Sequence, residues 1–289
     1  MKVLMIGNSF SICVGRNLPQ IVKKSKKHTL QLTSAYIGGC SLQTHAEHLA
    51  TAAQNPDFAP YLISFWDSEN LRRHVPRRGN VLELLQNNQY DVVTIQQASH
   101  LSWDFASYYP WADQVIDCIK KYNPNAQIMI QQTWSYRSDS HRFFEIENPF
   151  GFDSDEMYRR LCVAYAAFAA KTGFEVIPTG NAVEIWRRDS RRTYKNLTSA
   201  QRAKYRYPDL PPAANDVVGR DYWAKDKTSG EMVLGRDSIH LNFRGDYLQS
   251  CVWYGKLFGE DPESIRYEPD NIGKSECEFF RKCAKKALD

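Results

Sequence analysis

Short apolar runs alternate with longer amphipathic segments along most of this chain. The apolar runs predict β-strands over residues 2–7, 28–39, 90–97, 126–134 and 174–180. The amphipathic segments predict α-helices over residues 15–27, 79–89, 107–124, 153–173 and 241–259. Strands that alternate with helices form a parallel sheet covered on both faces. The pattern therefore predicts a three-layer α/β/α fold built on a parallel sheet of about five strands.

Two regions do not follow this alternation. Residues 56–79 predict a hairpin or an extended excursion between the second strand and the helix before the third. Residues 189–235 are rich in Arg, Lys, Tyr and Pro, and their aromatic side chains favour an ordered lid over a disordered loop. We interpret both regions as insertions in a single domain that spans residues 1–289.

Composition narrows the classes of partner. The 289 residues carry a net charge of +4 without a continuously basic helix face, which argues against nucleic acid as a partner. No apolar run reaches the length of a membrane span, so we expect no membrane association. Aromatic residues make up 13% of the chain, a content that suits a groove stacking against sugars. The sequence gives no indication of the oligomeric state.

Cysteine usage bears on the cellular compartment. The seven cysteines are scattered without a paired framework, and only Cys277 and Cys283 are placed for a local disulfide. Reduced thiols and the lack of a signal-peptide pattern predict a cytoplasmic protein, although a chain that had lost its leader would look the same.

Candidate active-site residues lie at the carboxyl ends of the predicted strands. In open α/β sheets, ligands bind beyond the carboxyl ends of the parallel strands. The residues that the sequence places there include Ser9, Gly39, Gln96 and Trp134. Small polar residues also end many strands for conformational reasons alone, so the turn Gly7-Asn8-Ser9 is a weak signal by itself.

A second stretch near the C-terminus strengthens that signal. The sequence DSIH places Asp237 three residues before His240, immediately before the last predicted helix. A carboxylate at that distance can orient an imidazole, and the imidazole can take a proton from a serine hydroxyl. With Ser9 as the candidate nucleophile, these residues are the minimum set for an acyl-transfer site.

Other candidate ligands and nucleophiles have simpler interpretations. Trp134 can form the wall of a substrate pocket or pack in the core, and the sequence leaves both open. His45 and His48 lie three residues apart without an obvious third ligand, so we predict structural histidines and no metal site. Cys40 has no neighbouring base in the sequence and is assigned to packing. No dinucleotide, phosphate-binding or C-x-x-C motif is present, and we expect no cofactor.

Four short blocks, taken in order, resemble those of the SGNH (GDSL-type) hydrolases. They are GNSFS after the first strand, IGGCS after the second, VVTIQQAS at the third and DSIHLN near the end. The resemblance is strongest to a poorly characterised bacterial branch of that superfamily. It implies the flavodoxin-like sheet of the family, Ser9 as the nucleophile, and Asp237 orienting His240 as the general base.

The resemblance also implies an oxyanion hole, with one departure. Such enzymes use the nucleophile's backbone N–H, a glycine N–H and an asparagine side chain. Ser9 matches the first, and Gly39, or its neighbour Gly38, matches the second. The usual G-x-N-D block is replaced by TIQQAS, so Gln96 is the first candidate for the missing amide donor and Gln97 the second.

We therefore expect a serine esterase that hydrolyses a small acyl ester, such as an acetyl group on a carbohydrate. Two alternatives stay open. The same triad could transfer the acyl group to a sugar hydroxyl. The protein could also bind carbohydrate on a hydrolase fold without turnover, an alternative that the missing G-x-N-D block favours.

Overall fold

Seven strands form the central sheet of the computed structural model, which describes residues 1–71, 76–144, 150–189, 194–195, 197–211 and 215–289. The strands are Lys2–Gly7 (β1), Gln31–Tyr36 (β2), Tyr61–Asp67 (β3), Arg77–Gly79 (β4), Val92–Ile95 (β5), Gln127–Gln131 (β6) and Glu175–Ile177 (β7). Their order across the sheet is β4-β3-β2-β1-β5-β6-β7. A separate two-stranded sheet pairs Val218–Lys225 (β8) with Met232–Leu241 (β9).

The core of the central sheet is parallel. Strand β1 pairs in parallel with β2 on one side and with β5 on the other, and β6 and β7 continue the parallel pairing. Taken in chain order, the five parallel strands follow the order 2-1-3-4-5, which is the flavodoxin-like arrangement. The predicted parallel sheet of about five strands is confirmed.

Helices cover the sheet in two layers. They are Leu18–Ser25 (α1), Leu42–Gln54 (α2), Val81–Asn87 (α3), Trp111–Tyr122 (α4), His141–Phe144 (α5), Ser154–Thr172 (α6), Thr179–Arg187 (α7), Ser199–Arg202 (α8), Phe243–Phe258 (α9) and Lys274–Leu288 (α10). Helices α2, α3 and α4 contact one another in one layer, and α1, α7, α9 and α10 contact one another in the second. Together with the sheet these layers make the predicted α/β/α fold.

Local sequence explains where these elements begin and end. The first strand is buried on both faces, with Val3 to Ile6 at most 1% exposed, because it lies between two parallel neighbours. Helix α6 begins after Asp153, whose carboxylate accepts a hydrogen bond from the Glu156 N–H at 2.8 Å. The same helix ends at Gly173, which adopts a left-handed φ of 72° that favours glycine.

In the region 56–79, strands β3 and β4 form a hairpin, which is one of the two structures predicted for it. Strand β3 pairs antiparallel with β2, and β4 pairs antiparallel with β3. These two strands extend the sheet at one edge, away from the parallel core. The tip at residues 72–75 lies outside the described residues.

The region 189–235 is more regular than its composition suggested. It supplies α8, all of β8 and the first part of β9, so the predicted catalytic segment lies on a strand rather than in a loop before a helix. Residues 190–193, 196 and 212–214 of this insertion lie outside the described residues, and its role as a lid stays a prediction. The C-terminal helix α10 was not predicted; it buries Cys277 and Cys283, which form no disulfide.

Among the described residues, no helix combines the length and the apolar character that crossing a bilayer requires.

Candidate active site

The turn after β1 is held by close packing and by one asparagine. A side chain at Gly7 would place its Cβ 2.4 Å from the Ser11 hydroxyl oxygen and 3.2 Å from the Gln96 side chain, so only glycine fits there. The buried Asn8 accepts a hydrogen bond from the Phe10 N–H at 3.0 Å and donates one to a backbone carbonyl on the next loop. These contacts fix the backbone on both sides of the half-buried Ser9.

The structure brings the two ends of the chain together at this turn. His240 Nε2 lies 2.9 Å from the Ser9 hydroxyl oxygen, and His240 Nδ1 lies 3.0 Å from Asp237 Oδ2. The other carboxylate oxygen of Asp237 accepts the backbone N–H groups of Ile239 and His240 at 2.9 and 3.1 Å. Asp237 therefore holds both the backbone and the ring of the histidine, and the ring faces the serine.

The electrostatics of the pair suit a proton relay. Burial raises the pKa of Asp237, but hydrogen bonds from the His240 ring and from two backbone N–H groups outweigh burial and lower it to about 2. Asp237 is thus ionised at neutral pH and accepts the Nδ1–H, which leaves Nε2 as the acceptor facing Ser9. The His240 side chain is 43% exposed, so a substrate and water can reach this nitrogen.

Helix α9 connects the histidine to the serine turn. Its N-cap residue, Asn242, follows His240 by two positions, and its side chain accepts the backbone N–H groups of Arg244 and Gly245 in the first turn. Two turns along, Gln249 donates a hydrogen bond to the Phe10 carbonyl at 2.8 Å and accepts one from the Cys13 thiol at 2.8 Å. The helix therefore contacts the backbone directly after Ser9.

Trp134 contacts both the segment that carries His240 and the residue that follows Ser9. Its indole N–H donates to the Ile239 carbonyl at 2.9 Å, and its ring stacks on Phe10 with ring centroids 4.1 Å apart. The side chain is fully buried, so a substrate cannot contact it in this structure. The substrate-binding prediction for Trp134 is therefore not supported, and the core-packing alternative fits the geometry.

A buried charge cluster, which sequence reasoning missed, holds the same segment. The backbone N–H of Arg137 donates to the Ser238 carbonyl at 2.9 Å, between Asp237 and Ile239. The Arg137 guanidinium, fully buried, forms two hydrogen bonds with Asp139 at 2.6 and 3.0 Å. Asp139 also accepts a hydrogen bond from Arg236 at 2.8 Å, and Arg236 immediately precedes the predicted catalytic aspartate.

The loop after β2 carries the predicted oxyanion glycine. Gly39 adopts a left-handed φ of 65° in a turn closed by the Cys40 N–H on the Ile37 carbonyl at 3.3 Å. Its exposed N–H donates no hydrogen bond to the described part of the chain, and the same is true of the Ser9 N–H. The Asn8 amide donates to the Cys40 carbonyl at 2.9 Å, which ties this turn to the serine turn.

The two candidate glutamines differ in their hydrogen-bond partners. Both N–H groups of the Gln97 amide are engaged by Ser107, and its carbonyl accepts from the N–H groups of Leu42 and Ala98. Gln97 is thus committed to the scaffold, against its prediction as an oxyanion donor. Gln96 donates one amide hydrogen to Asn8, and its buried carbonyl oxygen has no partner among the described residues. Gln96 is 1% exposed, and its amide makes no second hydrogen bond within the described residues, so it is less committed to the scaffold than Gln97.

The neighbouring histidines and the thiol lie behind this turn. His45 is fully buried, with Nδ1 2.8 Å from the Tyr61 hydroxyl and 3.6 Å from the Cys40 sulfur. Burial and the nearby His48 lower the pKa of His45 to about 3, and burial raises the pKa of Cys40 to about 12. A neutral imidazole and a protonated thiol fit the predicted packing roles. Within the described residues, no three His, Cys, Asp or Glu side chains are grouped to hold a metal ion.

Comparison with known proteins places the chain in a family. The family described as "Domain of unknown function (DUF4886)" matches residues 2–205. The chain belongs to this DUF4886 family. No curated protein matches it.

One solved structure shares the fold, and two more distant ones resemble it weakly. A DUF4886 family protein from Bacteroides uniformis has a TM-score of 0.78 at 22% identity, over 100% of this chain and 94% of that chain. A candidate GDSL-like lipase from Parabacteroides merdae has a TM-score of 0.47 at 10% identity, over 89% of this chain and 95% of that chain. A salicylyl-acyltransferase from a tetracycline biosynthetic pathway has a TM-score of 0.41 at 11% identity, over 92% of this chain and 56% of that chain. The DUF4886 neighbour shows the shared fold, and the other two scores are too low to carry an argument.

The family model covers only part of the candidate site. Ser9, Gly39 and Gln96 lie within residues 2–205, whereas Asp237 and His240 lie beyond them on β9. Membership in DUF4886 therefore says nothing about the acid–base pair, which rests on the geometry alone.

Proposed function

We propose that this DUF4886 protein is a serine esterase with the chemistry of the SGNH hydrolases, acting on a small acyl ester such as an acetyl group on a carbohydrate. One observation carries the proposal. Ser9, His240 and Asp237 form a continuous line of hydrogen bonds at 2.9 and 3.0 Å, although the serine and the histidine lie 231 positions apart in sequence. These distances are within the range expected of a nucleophile, its base and the group that orients the base.

The proposed reaction has two halves. The Ser9 oxygen attacks the acyl carbonyl while His240 Nε2 takes the hydroxyl proton, and the ionised Asp237 stabilises the imidazolium. This attack gives a tetrahedral intermediate. His240 then gives the proton to the alcohol oxygen, the bond between that oxygen and the acyl carbon breaks, and the acyl group stays on Ser9. Water then loses a proton to His240 and attacks that acyl group, and the carboxylic acid departs as the proton returns to the serine oxygen.

The proposed oxyanion hole follows from the unused donors. The Ser9 and Gly39 backbone N–H groups have no partner within the described residues, and the Gln96 amide makes no second hydrogen bond there. Donors of this kind stabilise the negative charge that develops on the carbonyl oxygen, and the loss of one typically lowers kcat about 100- to 1000-fold.

Hydrolysis is favoured over acyl transfer by one observation. The His240 ring is 43% exposed, so water has access to the base that would activate it. A transferase would need an acceptor hydroxyl to outcompete that water. Adding a sugar acceptor to an ester assay separates the two reactions, because transfer would yield an acylated sugar and hydrolysis would yield only free acid.

The deciding experiment compares the wild type with Ser9→Ala on p-nitrophenyl acetate. We expect the rate to fall at least about 1000-fold in the variant, because the nucleophile is lost. Ser11→Ala is the matched control. Ser11 lies two residues away, and its hydroxyl donates to the Asn8 carbonyl at 3.2 Å and does not contact His240, so the variant should keep most of the activity. Equal rates for the wild type and a folded Ser9→Ala protein would exclude the proposal and favour a non-catalytic binding protein.

A further inference from the structure

A cavity lies between the N-terminus of α9 and the insertion. It has a volume of about 300 Å³, and its lining includes the segment from Leu241 to Arg244, which follows His240. The insertion supplies another part of the wall through Arg220, which lies opposite Asp237 in the pairing of β8 with β9. The volume is at the lower end of the range for small-molecule sites, which suits a single small group.

Three arginines line this cavity and retain unused hydrogen-bond donors. Arg16 uses one nitrogen, Nη1, on Asp246, and its side chain is 65% exposed. Arg244 bonds Glu276 through Nε and Nη2. Arg220 forms no ion pair with the described part of the chain. Each guanidinium has five N–H donors, so several of them remain free for a ligand.

Arg220 is the least constrained of the three guanidinium groups. Asp246 and Glu276 bond Arg16 and Arg244, whereas Arg220 makes no ion pair within the described residues, although Asp246 interacts with it electrostatically and Asp237 lies opposite it across the ribbon. Asp221 also lines the cavity, but it is paired with Arg202 at 2.6 Å and cannot neutralise Arg220. Arginine forks of this kind bind carboxylate, sulfate and phosphate groups.

Apolar surface stands next to these charges. Phe243 is 46% exposed at the start of α9, and Leu210 from the insertion is 48% exposed; both line the same cavity. An exposed aromatic ring beside free guanidinium groups suits a ligand with a flat apolar face and an anionic substituent. A sugar ring that carries a carboxylate or a sulfate has both features.

We propose that this cavity binds an anionic sugar of the substrate, so that the natural ester lies on an acidic saccharide. The proposal names a substrate class for the esterase and rests on that proposed function. The cavity is lined by residues 241–244, which follow His240 in the chain, and by Arg220, which pairs with Asp237 across the ribbon. We therefore infer that an acidic sugar held by Arg220, Arg16 and Arg244 belongs to a saccharide whose ester reaches Ser9.

A kinetic comparison tests the recognition of the anion. O-acetylated methyl glucuronide and O-acetylated methyl glucoside differ only at C6, which is a carboxylate in the first and a hydroxymethyl group in the second. We expect kcat/KM to favour the glucuronide about tenfold. Arg220→Gln should bring that ratio close to one, because the guanidinium proposed to recognise the carboxylate is lost. Arg206→Gln, an exposed arginine of the same insertion outside this cavity, is the control and should leave the ratio unchanged. An O-acetylated 6-sulfated galactoside, set against its unsulfated form, separates sulfate from carboxylate.

A binding measurement keeps this proposal distinct from the esterase proposal. In Ser9→Ala protein, ligand-observed NMR should detect methyl glucuronide but not methyl glucoside, with the signal weakened by Arg220→Gln and by added salt. Equal binding of the two glycosides, binding unaffected by Arg220→Gln, or binding of inorganic phosphate alone would overturn the anionic-sugar site. If Ser9→Ala hydrolyses p-nitrophenyl acetate as fast as wild type, the esterase proposal fails whatever the binding result.

Discussion

Ser9 follows a strand that lies between two parallel neighbours in the centre of the sheet, whereas His240 lies on a strand with a single partner outside that sheet. The strand that leads to the serine turn is positioned by apolar packing, since β1 is almost completely buried. The β8–β9 ribbon is positioned by polar contacts, from the Trp134 indole and from the Arg137 backbone and its ion pair. The strand before Ser9 is therefore placed by the core, and the strand that carries His240 and Asp237 by directional bonds.

This difference predicts how each region responds to mutation. Apolar packing is spread over many contacts, so a single change in β1 affects the stability of the whole fold. A hydrogen-bonded ribbon depends on a few groups, so single changes there should disturb the catalytic geometry more than the core. The following experiments test that contrast.

The largest expected effect is that of Asp237→Asn. An asparagine can keep the backbone hydrogen bonds, but it offers an amide to His240 Nδ1 and favours the wrong tautomer of the ring. We expect kcat on p-nitrophenyl acetate to fall about 10⁴-fold, as for an orienting aspartate in other serine hydrolases. A loss of less than tenfold, with the protein folded, would mean that Asp237 does not orient the base.

The next effect concerns the buried ion pair. Arg137→Met leaves Asp139 buried with one fewer cation, and we expect the free energy of unfolding to fall by about 3–5 kcal/mol. Arg188→Met removes an exposed i,i+4 pair with Glu184 and should cost less than about 1 kcal/mol. Hydrogen exchange sharpens the comparison: amides of β8 and β9 should lose more protection in Arg137→Met than those of β1. Uniform loss across the fold would contradict the local role.

The low pKa of Asp237 gives the stability a pH dependence in acid. The folded state lowers this pKa from its ordinary value of 3.8 to about 2, so the ionised form is favoured by folding. The corresponding stabilisation, about 2 kcal/mol, is present above pH 4 and is lost as the pH falls through 2. Urea unfolding should therefore show a difference between wild type and Asp237→Asn that shrinks between pH 5 and pH 2. A difference that stays constant from pH 5 to pH 2 would contradict this role of the Asp237 carboxylate.

The smallest effect is expected from Trp134→Phe, which removes the hydrogen bond to the Ile239 carbonyl and keeps the ring. We expect about 1 kcal/mol of lost stability and a fall of about tenfold in kcat, because the histidine segment loosens. Trp253→Phe is the matched control: its buried indole donates to Gln131 at 2.7 Å, away from the ribbon. It should cost similar stability and leave kcat unchanged. Equal kcat losses in both would remove the special role of Trp134.

Much of the fold followed from the sequence because its signals are local. Each parallel strand is a short apolar run, and each long helix carries a stripe at the helical period, so the α/β/α class could be predicted without tertiary information. The turn around Ser9 and the D-x-x-H spacing were visible for the same reason. Ribbon β8–β9 was missed because its strands mix Arg, Lys and Asp with aromatics, a composition that also suits a loop.

The supporting residues could not be predicted because their roles depend on distant partners. Arg137 and Asp139 resemble surface charges in the sequence, and only the folded chain buries them together. Gln96 and Gln97 are neighbours of identical type, yet the Gln97 amide donates to Ser107, whereas the Gln96 amide donates to Asn8. Sequence reasoning can name such candidates, but the hydrogen-bond partners decide between them.

Helix α9 works as a rigid spacer between the two halves of the site, since it begins just after His240 and its Gln249 bonds the Phe10 carbonyl beside Ser9. Inserting one alanine between Asn242 and Gln249 would turn everything beyond it by about 100° and advance it by about 1.5 Å. The chain thus tolerates length changes in the insertion far better than in these two turns, where a single added residue would separate the base from the alcohol it serves.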